Sequence, residues 1–397
     1  MTVGRNDAAV AQRTVTITAK GAARWKSGHP WIYRTDVADE PRDEPGLVHV
    51  TDRRGRFLGQ ALYSPRSEIR LRLLTRDDEP VSAEWWSARI AAAAARRSGI
   101  PATAYRVVHA EADGLPSLIV DRYGTVVVAQ LLSAGLDRAR DDVVEGITRA
   151  LAPDGVLLRN DASIRRHEGL PAEVVVARGS VPELVEVVEH DVRYLAAPWK
   201  GQKTGAFLDQ RENRVLVAAH VRPGGRALDA FTYHGSFALH LARRVTQVLA
   251  ADSSPEALTR GAENAALNGC ANITWREANA FELLRELERQ DEQFDAVVLD
   301  PPAFAKNKES VAKALGGYKE INLRAIRLLA PGGILFTCSC SYHVSRALFM
   351  DMLLDAAKDC GRRLELVALT RASRDHPEII NVPETGYLKG ALLRAAE

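Results

Sequence analysis

The chain of 397 residues carries 53 Lys+Arg against 51 Asp+Glu, a net charge of +2, with 46% hydrophobic and 26% charged residues. That length exceeds one ordinary core, so two or three domains of a soluble globular protein are expected, and the near-neutral balance excludes a wholly basic nucleic-acid coat while leaving room for a local basic face. Four cysteines without a CxxC pair argue for a reducing compartment, Met1 to Arg24 holds no apolar leader region, and no run reaches membrane length, so a cytoplasmic protein with no membrane partner is expected.

Residues 1–80 read as a small β-rich domain. Val15-Thr16-Ile17, Gly46 to Val50, Phe57 to Tyr63 and Ile69 to Leu74 alternate or run apolar between Gly, Pro and Asp turns. Basic and aromatic side chains interleave, among them Lys20, Arg24, Trp25, Lys26, His29, Trp31, Tyr33 and Arg34. Such mixing suits a surface that meets phosphates and stacks on bases, and equally a solvated β-barrel surface; Trp31 and Arg34 are its candidate RNA contacts.

Residues 81–196 read as an α+β connecting domain that positions its neighbours. Trp85 to Gly99, with a five-alanine run, predicts a separating helix. Strands at Leu118-Ile119-Val120 and Thr125 to Gln130 precede a helix over Asp137 to Leu151, and Asp113-Gly114 and Asp121 to Gly124 read as turns. No chemical motif stands out there.

From Trp199 the character changes. The polar, glycine-punctuated run Lys200 to Arg211 could close over a ligand, or Asp209 could simply cap the helix expected through Val215 to His220. Regular β-α units follow: Arg226 to Phe231 then a helix from Ser236, Gln247 to Asp252 then one from Pro255 to Gly269, Ile273-Thr274-Trp275 then Phe281 to Arg289, and Phe294 to Asp300 then Val311 to Leu329. This alternation implies a mostly parallel sheet covered by helices on both faces, with ligands at the carboxyl ends of its strands.

The first unit ends Asp229-Ala230-Phe231-Thr232-Tyr233-His234-Gly235-Ser236, where a glycine turn lets a ligand approach the helix N-terminus. The second strand ends on Asp252, the place for a carboxylate that accepts ribose hydroxyls, and Ser253 follows. A dinucleotide site would require GxGxxG. One glycine and an acid instead suit a ligand with an ammonium and no pyrophosphate, so S-adenosylmethionine is the expected cofactor over NAD. Asn279, at the third strand end, offers a carbonyl to the adenine amino group.

The fourth strand ends Asp300-Pro301-Pro302-Ala303-Phe304, with two prolines fixing the loop behind a carboxylate. Methyltransferases of exocyclic amines use a similar Asp-Pro-Pro-aromatic arrangement, although here one residue intervenes before Phe304. Gly332 to Ser341 then reads as a buried strand ending on two thiols, with Cys338 and Cys340 on one face. Pyrimidine C5 is not nucleophilic, and its methylation requires a thiolate to add at C6. Cys340, nearer the carboxyl edge, is the expected nucleophile, with Cys338 as core behind it. A metal at Cys338, Cys340 and His343 lacks a fourth ligand at finger spacing, and Cys270 and Cys360 read as structural.

As a set, these residues resemble the bacterial 23S ribosomal RNA cytosine-C5 methyltransferases of the RlmI type. The resemblance spans nearly the whole chain: His29-Pro30-Trp31, Tyr63-Ser64-Pro65, Asp113 to Pro116, Lys203-Thr204-Gly205, Leu208 to Arg211, Phe231 to Gly235, Asp300 to Phe304, Gly317 to Asn322, Ser339-Cys340-Ser341, Asp375-His376-Pro377 and Gly386 to Gly390. It implies an N-terminal PUA-like RNA-binding domain, a connecting domain, and over residues 197–397 a Rossmann-like class I methyltransferase domain. That last domain would have a seven-stranded, mostly parallel sheet ending in an antiparallel pair.

The resemblance further implies Cys340 as nucleophile and Asp300 as the acid that orients the base. Cofactor contacts would fall on Asp229, Phe231, Tyr233, Gly235, Asp252, Ser253, Asn279, Asp300 and Gln210, and RNA contacts on Lys203 and Phe304. Ser236 stands where many relatives carry glycine, Asn279 replaces the usual acid, and Cys338 is an added thiol. Asp300 and Lys203 are the candidates to take the C5 proton. The expected partner is 23S ribosomal RNA, with a homodimer left open. The competing readings are methylation of a guanine ring nitrogen or an exocyclic amine, and a non-catalytic RNA-binding assembly factor.

Overall fold

A computed structural model describes residues 13–41, 44–305 and 307–396; the first twelve residues, half of the stretch read for a leader, lie outside it. Among the described residues no helix is long and apolar enough to cross a membrane.

The N-terminal module is one six-stranded sheet. Besides the four expected strands it contains Trp31–Tyr33 and Val37–Asp39, each too short to show a period in sequence, and a helix at Ala19–Lys26 capped by Thr18. Its core holds Val15, Ile17, Trp25, Ile32, Val48, Val50 and Leu71.

The middle module is a five-stranded sheet, Ala104–His109 to Glu173–Gly179, with two helices packed on it. The helix expected as a separator, Ala83–Ala95, belongs to that core instead: Trp86, Ile90 and Ala93 are buried with Val107, Val120 and Ile147. It lies against Arg140–Leu151 at Gly146, where a Cβ would come within 2.6 Å of Trp86 Cβ. The expected Asp137 to Leu151 helix starts at Arg140, with Ala134–Arg138 forming a separate helical turn before it. A hairpin, Val185–Glu189 and Val192–Ala196, leads to the third module.

That module opens with helix α1 (Arg211–His220) and continues with β1 (Arg226–Asp229), α2 (Ser236–Ala242), β2 (Gln247–Asp252), α3 (Pro255–Leu267), β3 (Ile273–Glu277), α4 (Ala280–Arg289), β4 (Phe294–Leu299), α5 (Val311–Arg327), β5 (Leu329–Ser339), α6 (Arg346–Cys360), β6 (Leu364–Arg371) and β7 (Lys389–Ala395). The sheet order is β3-β2-β1-β4-β5-β7-β6. Strands β1 to β5 pair in parallel, and β7 lies antiparallel to both β5 and β6. The apolar runs of β1, β4 and β5 are buried on both faces, as a sheet covered by helices requires. Local chemistry sets the boundaries: Ser254 Oγ accepts from Ala257 N with Pro255 in the first turn of α3, and Ser345 caps α6 in the same way. Strands β1 and β4 adjoin where the order reverses, so their carboxyl ends open onto a crevice.

Candidate active site

The crevice is a cavity of about 560 Å³ at the carboxyl ends of β1, β2, β4 and β5, within the usual range for a small-molecule site. Ten of the residues expected to act meet in its wall: Lys203, Gln210, Phe231, Tyr233, Asp252, Ser253, Asn279, Asp300, Phe304 and Cys340. Asp229, Gly235, Trp31 and Arg34 do not.

On one side, Asp252 at the tip of β2 accepts from Tyr233 N (2.9 Å) and Ser254 N (3.0 Å), so local backbone donors aim its carboxylate. Asp229 lies behind the wall. Its Oδ2 accepts from Thr232 Oγ1 (2.7 Å) and Ala238 N (3.1 Å), pinning the β1–α2 turn from within, while Oδ1 is buried without a partner. Burial first, then the charges of Asp300 and Asp252 against the Thr232 bond, push its carboxyl up to about 7. Such crowding of acids favours a cationic ligand.

Gly235 is demanded by packing rather than by ligand approach. Its φ is +87°, and a Cβ there would strike the Trp275 ring at 2.5 Å. Asn279 also differs from expectation: its Oδ1 accepts from Phe281 N (3.0 Å) and Glu282 N (3.4 Å), capping α4. The carbonyl expected to face adenine is thus engaged by the helix, although the residue still borders the cavity.

On the other side, β5 ends at Ser339, and Cys340 lies one step past it, partly exposed in the wall with Sγ 3.9 Å from the Pro301 carbonyl. Burial, then the Asp300 charge, push its thiol up to about 11, while Lys203 pulls the other way. Cys338 is fully buried. Its thiol donates to Asp300 Oδ1 (2.9 Å), and its sulfur accepts from Gln210 Nε2 (3.2 Å). Burial also pushes the Asp300 carboxyl up, opposed by the Cys338 hydrogen bond and by Lys203, and reinforced by Asp209.

The Asp300-Pro301-Pro302 loop is braced from α5. Tyr318 stacks on Phe304 with ring centres 4.5 Å apart, and its hydroxyl lies 2.9 Å from Ser341 Oγ. Ser341 Oγ also accepts from Ala305 N (3.2 Å). Lys389 donates to the carbonyls of Ser341 (2.6 Å) and Tyr387 (3.0 Å), so the segment carrying Cys340 is tied to β7; burial lowers this ammonium to about 8.

Sequence reasoning missed the group that holds Lys203. Asp209 caps no helix; its Oδ2 pairs with Lys203 Nζ (2.5 Å) and accepts from Tyr387 O–H (2.6 Å). Although burial opposes it, the Lys203 charge holds the Asp209 carboxyl well below the usual range. Lys203 sits 4.5 Å from the Phe207 ring centre at a positive φ of 56°.

Two acids of the middle module that the sequence places in turns prove to be charge sites, and one of them, Asp121, lies in the strand Leu118–Tyr123, the turn itself falling at Gly124 and Thr125. Asp121 Oδ2 accepts from Thr204 Oγ1 (2.5 Å) and pairs with buried Arg106, and Asp113 holds Arg97 (2.6 Å) and His109 N (2.6 Å). Thr204, next to Lys203, is thereby fixed by a different module. Acids in Asp-Gly or Asp-Arg-Tyr-Gly contexts read as turns, and their distant arginines leave no local signal. Trp31 is half-buried and donates from Nε1 to Glu111 Oε1 (3.0 Å), while Arg34 is exposed beside Glu68.

A cavity with aimed Asp252, aromatic walls at Phe231 and Tyr233, and crowded buried acids fits S-adenosylmethionine, a ligand with ribose hydroxyls and two cationic centres. Two family models match the chain, a PUA-like domain over residues 15–76 and an S-adenosylmethionine-dependent methyltransferase over residues 162–394. Ribosomal RNA large subunit methyltransferase I from Shewanella frigidimarina is 36% identical over 378 residues, covering 92% of this chain and 95% of that protein. The protein of the same name from Klebsiella pneumoniae strain 342 is 37% identical over 379 residues, covering 92% and 94%. Among solved structures, SMU.776 complexed with SAH matches with a TM-score of 0.83 at 18% identity over 96% of this chain and 100% of that one. A candidate SAM-dependent methyltransferase from Streptococcus mutans matches with a TM-score of 0.81 at 16% identity and the same coverage. At such identities these two speak to the fold.

Proposed function

Because the chain belongs to the family of S-adenosylmethionine-dependent methyltransferases, we propose that it methylates C5 of a cytosine in 23S ribosomal RNA through a covalent bond between Cys340 and C6 of that base. The observation that carries this reading is the position of Cys340: among the described residues it is the one thiol in the wall, beside the Asp300-Pro301-Pro302 loop. The substrate class rests on the relatives named above and on the PUA-like module, and the division at residues 80 and 196 into RNA-binding, connecting and catalytic domains is part of the proposal.

S-adenosylmethionine, bound against Asp252 and Phe231, supplies an electrophilic methyl group. The residues of the chain do the rest. A thiol pushed up to about 11 attacks as its proton leaves; that proton moves to cytosine N3 as sulfur bonds to C6, which makes C5 nucleophilic. Asp300 accepts from the exocyclic amine and, once C5 has taken the methyl group and S-adenosylhomocysteine is the leaving group, takes the C5 proton, for which its raised affinity suits it. Expulsion of sulfur with return of the N3 proton restores the ring and the thiol. Phe304, backed by Tyr318, offers the base a stacking face, and Lys203 steadies the developing thiolate.

Large-subunit RNA incubated with labelled donor and digested to nucleosides should give labelled 5-methylcytidine. Cys340→Ala should lower turnover by at least about a thousandfold, as loss of a covalent nucleophile does, while donor affinity changes less than about twofold. A labelled purine would assign the chain to ring-nitrogen or amine methylation, and donor binding without transfer to any RNA would make it a binding factor. Full activity of Cys340→Ala would remove the proposed nucleophile.

A further inference from the structure

We propose that Cys338 is a positioning residue: its thiol, oriented by Gln210, donates to Asp300 Oδ1 and so directs the second carboxylate oxygen of Asp300 into the cavity toward the methyl acceptor. This assignment rests on the role given above to Asp300 and goes beyond it by giving work to a thiol that the sequence places in the core.

The geometry forms a relay. Asn213 Nδ2, on α1, donates to the Arg371 carbonyl at the end of β6 (3.1 Å) and to Gln210 Oε1 (2.6 Å). That fixes the Gln210 amide with its nitrogen toward Cys338 Sγ at 3.2 Å. With the sulfur accepting from Gln210, its hydrogen goes to an acceptor, and Asp300 Oδ1 stands at 2.9 Å. The Leu299 carbonyl, at 3.7 Å, is the weaker alternative. The side chains of Asn213, Gln210 and Cys338 are buried, and Asp300 is partly exposed and borders the cavity.

Packing leaves no room for a side chain opposite Cys338: at Gly390, its partner in the β5–β7 register, a Cβ would lie 2.4 Å from Thr370 Oγ1 and 3.2 Å from Cys338 Cβ. Burial and the neighbouring carboxylate push this thiol well above its ordinary range, which keeps it a donor throughout the neutral range.

The groups that act on Asp300 are Asp209, Lys203, Gln210 and Cys338, with Asp229 on β1 and Cys340 just past β5 also within its field. Of these, Cys338 makes the short hydrogen bond to Oδ1, and its removal strips a donor from the ionised form. The carboxyl then titrates at higher pH. Because the ionised form accepts from the substrate amine, the acid limb of the kcat/KM profile should move upward.

The test uses the full chain with RNA and donor. Cys338→Ala should move the acid limb up by about one pH unit and lower turnover at neutral pH by about tenfold, with donor affinity changed less than about twofold. Cys338→Ser, which keeps a donor, should restore both. An unchanged limb and rate in Cys338→Ala, or a Cys338→Ser variant as impaired as Cys338→Ala, would overturn the proposal. In the unaltered protein the S–H infrared band should be displaced by a carboxylate acceptor and return to the free-thiol position in Asp300→Ala; a band unmoved by that substitution would also overturn it, whether or not the Cys338 variants fold. An RNA carrying 5-fluorocytosine traps the covalent adduct. Loss of that adduct in Cys338→Ala and its persistence in Cys340→Ala would overturn both this role and the nucleophile assignment, whereas an intact adduct with an unmoved profile overturns the positioning role alone.

Discussion

On the cofactor side of the cavity the polar contacts are short in sequence: Asp252 with Tyr233 and Ser254, Asp229 with Thr232, Asn279 with Phe281. On the acceptor side they cross the chain. Gln210 meets Cys338 at a separation of 128 residues, Arg211 meets Asp375 at 164, and Tyr387 meets Asp209 at 178. The first half can form once neighbouring β-α units pair, because its donors, the Thr232 hydroxyl and the backbone N–H groups of Tyr233, Ser254 and Phe281, lie within 19 residues of their acceptors. The second requires three segments, 203–211, 300–304 and 338–341, to be held against the 375–389 stretch and the middle module. A site built this way places cofactor binding on local structure and chemistry on the integrity of the whole fold.

The largest effect that difference predicts lies at Asp375. Its carboxylate, fully buried, accepts from both Arg211 guanidinium nitrogens (2.8 and 3.1 Å) and from Arg106 N of the middle module (2.9 Å). Removing one partner of a buried ion pair strands the other, so Asp375→Ala should cost about 3–5 kcal/mol, measured by denaturant unfolding, and should lower turnover more than donor affinity. A loss below about 1 kcal/mol would show that the acceptor side does not depend on this long-range brace. Burial would raise this carboxyl, but the hydrogen bonds and charges of His376 and Arg211 more than reverse that and hold it well below the usual range. A depressed carboxyl contributes stability that is present above its unfolded value of about 3.9 and is lost as pH falls toward the folded value. The unaltered protein should therefore lose stability on acidification below about pH 5 more steeply than Asp375→Ala does.

A smaller effect is expected at Asp252, where the change stays local. Its loss removes an acceptor for ribose hydroxyls, so Asp252→Ala should weaken donor binding by about 10- to 100-fold, read by calorimetry, while the Cys340 adduct with 5-fluorocytosine RNA still forms. A variant that loses the adduct as well would mean the two halves are coupled more tightly than their contacts indicate.

The same contrast governs what could be read in advance. The parallel sheet, the helix order, Asp252 and Cys340 were legible because periodicity, caps and strand ends are local patterns, and the family resemblance rested on the same short motifs. Gly235 was legible as a glycine position but not its cause, since Trp275 arrives from β3. The Asp209–Tyr387 and Asp121–Thr204 pairs were not legible, because nothing in an Asp-Gln-Arg or Asp-Arg-Tyr run names a partner beyond the next turn. Cys338, one pleat deeper on its strand than Cys340, reads as core from sequence; its acceptor, Asp300, stands just past the end of the neighbouring strand, and only the β4–β5 register brings the two together.

Asn279 provides the smallest and most discriminating effect, because two roles compete for one oxygen. As the cap of α4, its Oδ1 serves Phe281 N and Glu282 N, and replacing a capping Asn by Ala typically costs about 1 kcal/mol. Asn279→Ala should therefore lower stability by about that amount and weaken donor binding only a few-fold, through loosening of the first turn of α4 at the cavity edge. Asn279→Asp keeps the acceptor and adds a charge favoured at a helix N-terminus, so it should retain the stability and the affinity of the unaltered protein. If the carbonyl recognised the adenine amino group instead, Asn279→Ala would leave stability unchanged and weaken donor binding by tenfold or more. Thermal unfolding and donor titration of the two variants separate these outcomes, and the first pattern would establish that on this side of the cavity even a residue in the wall answers first to its own turn.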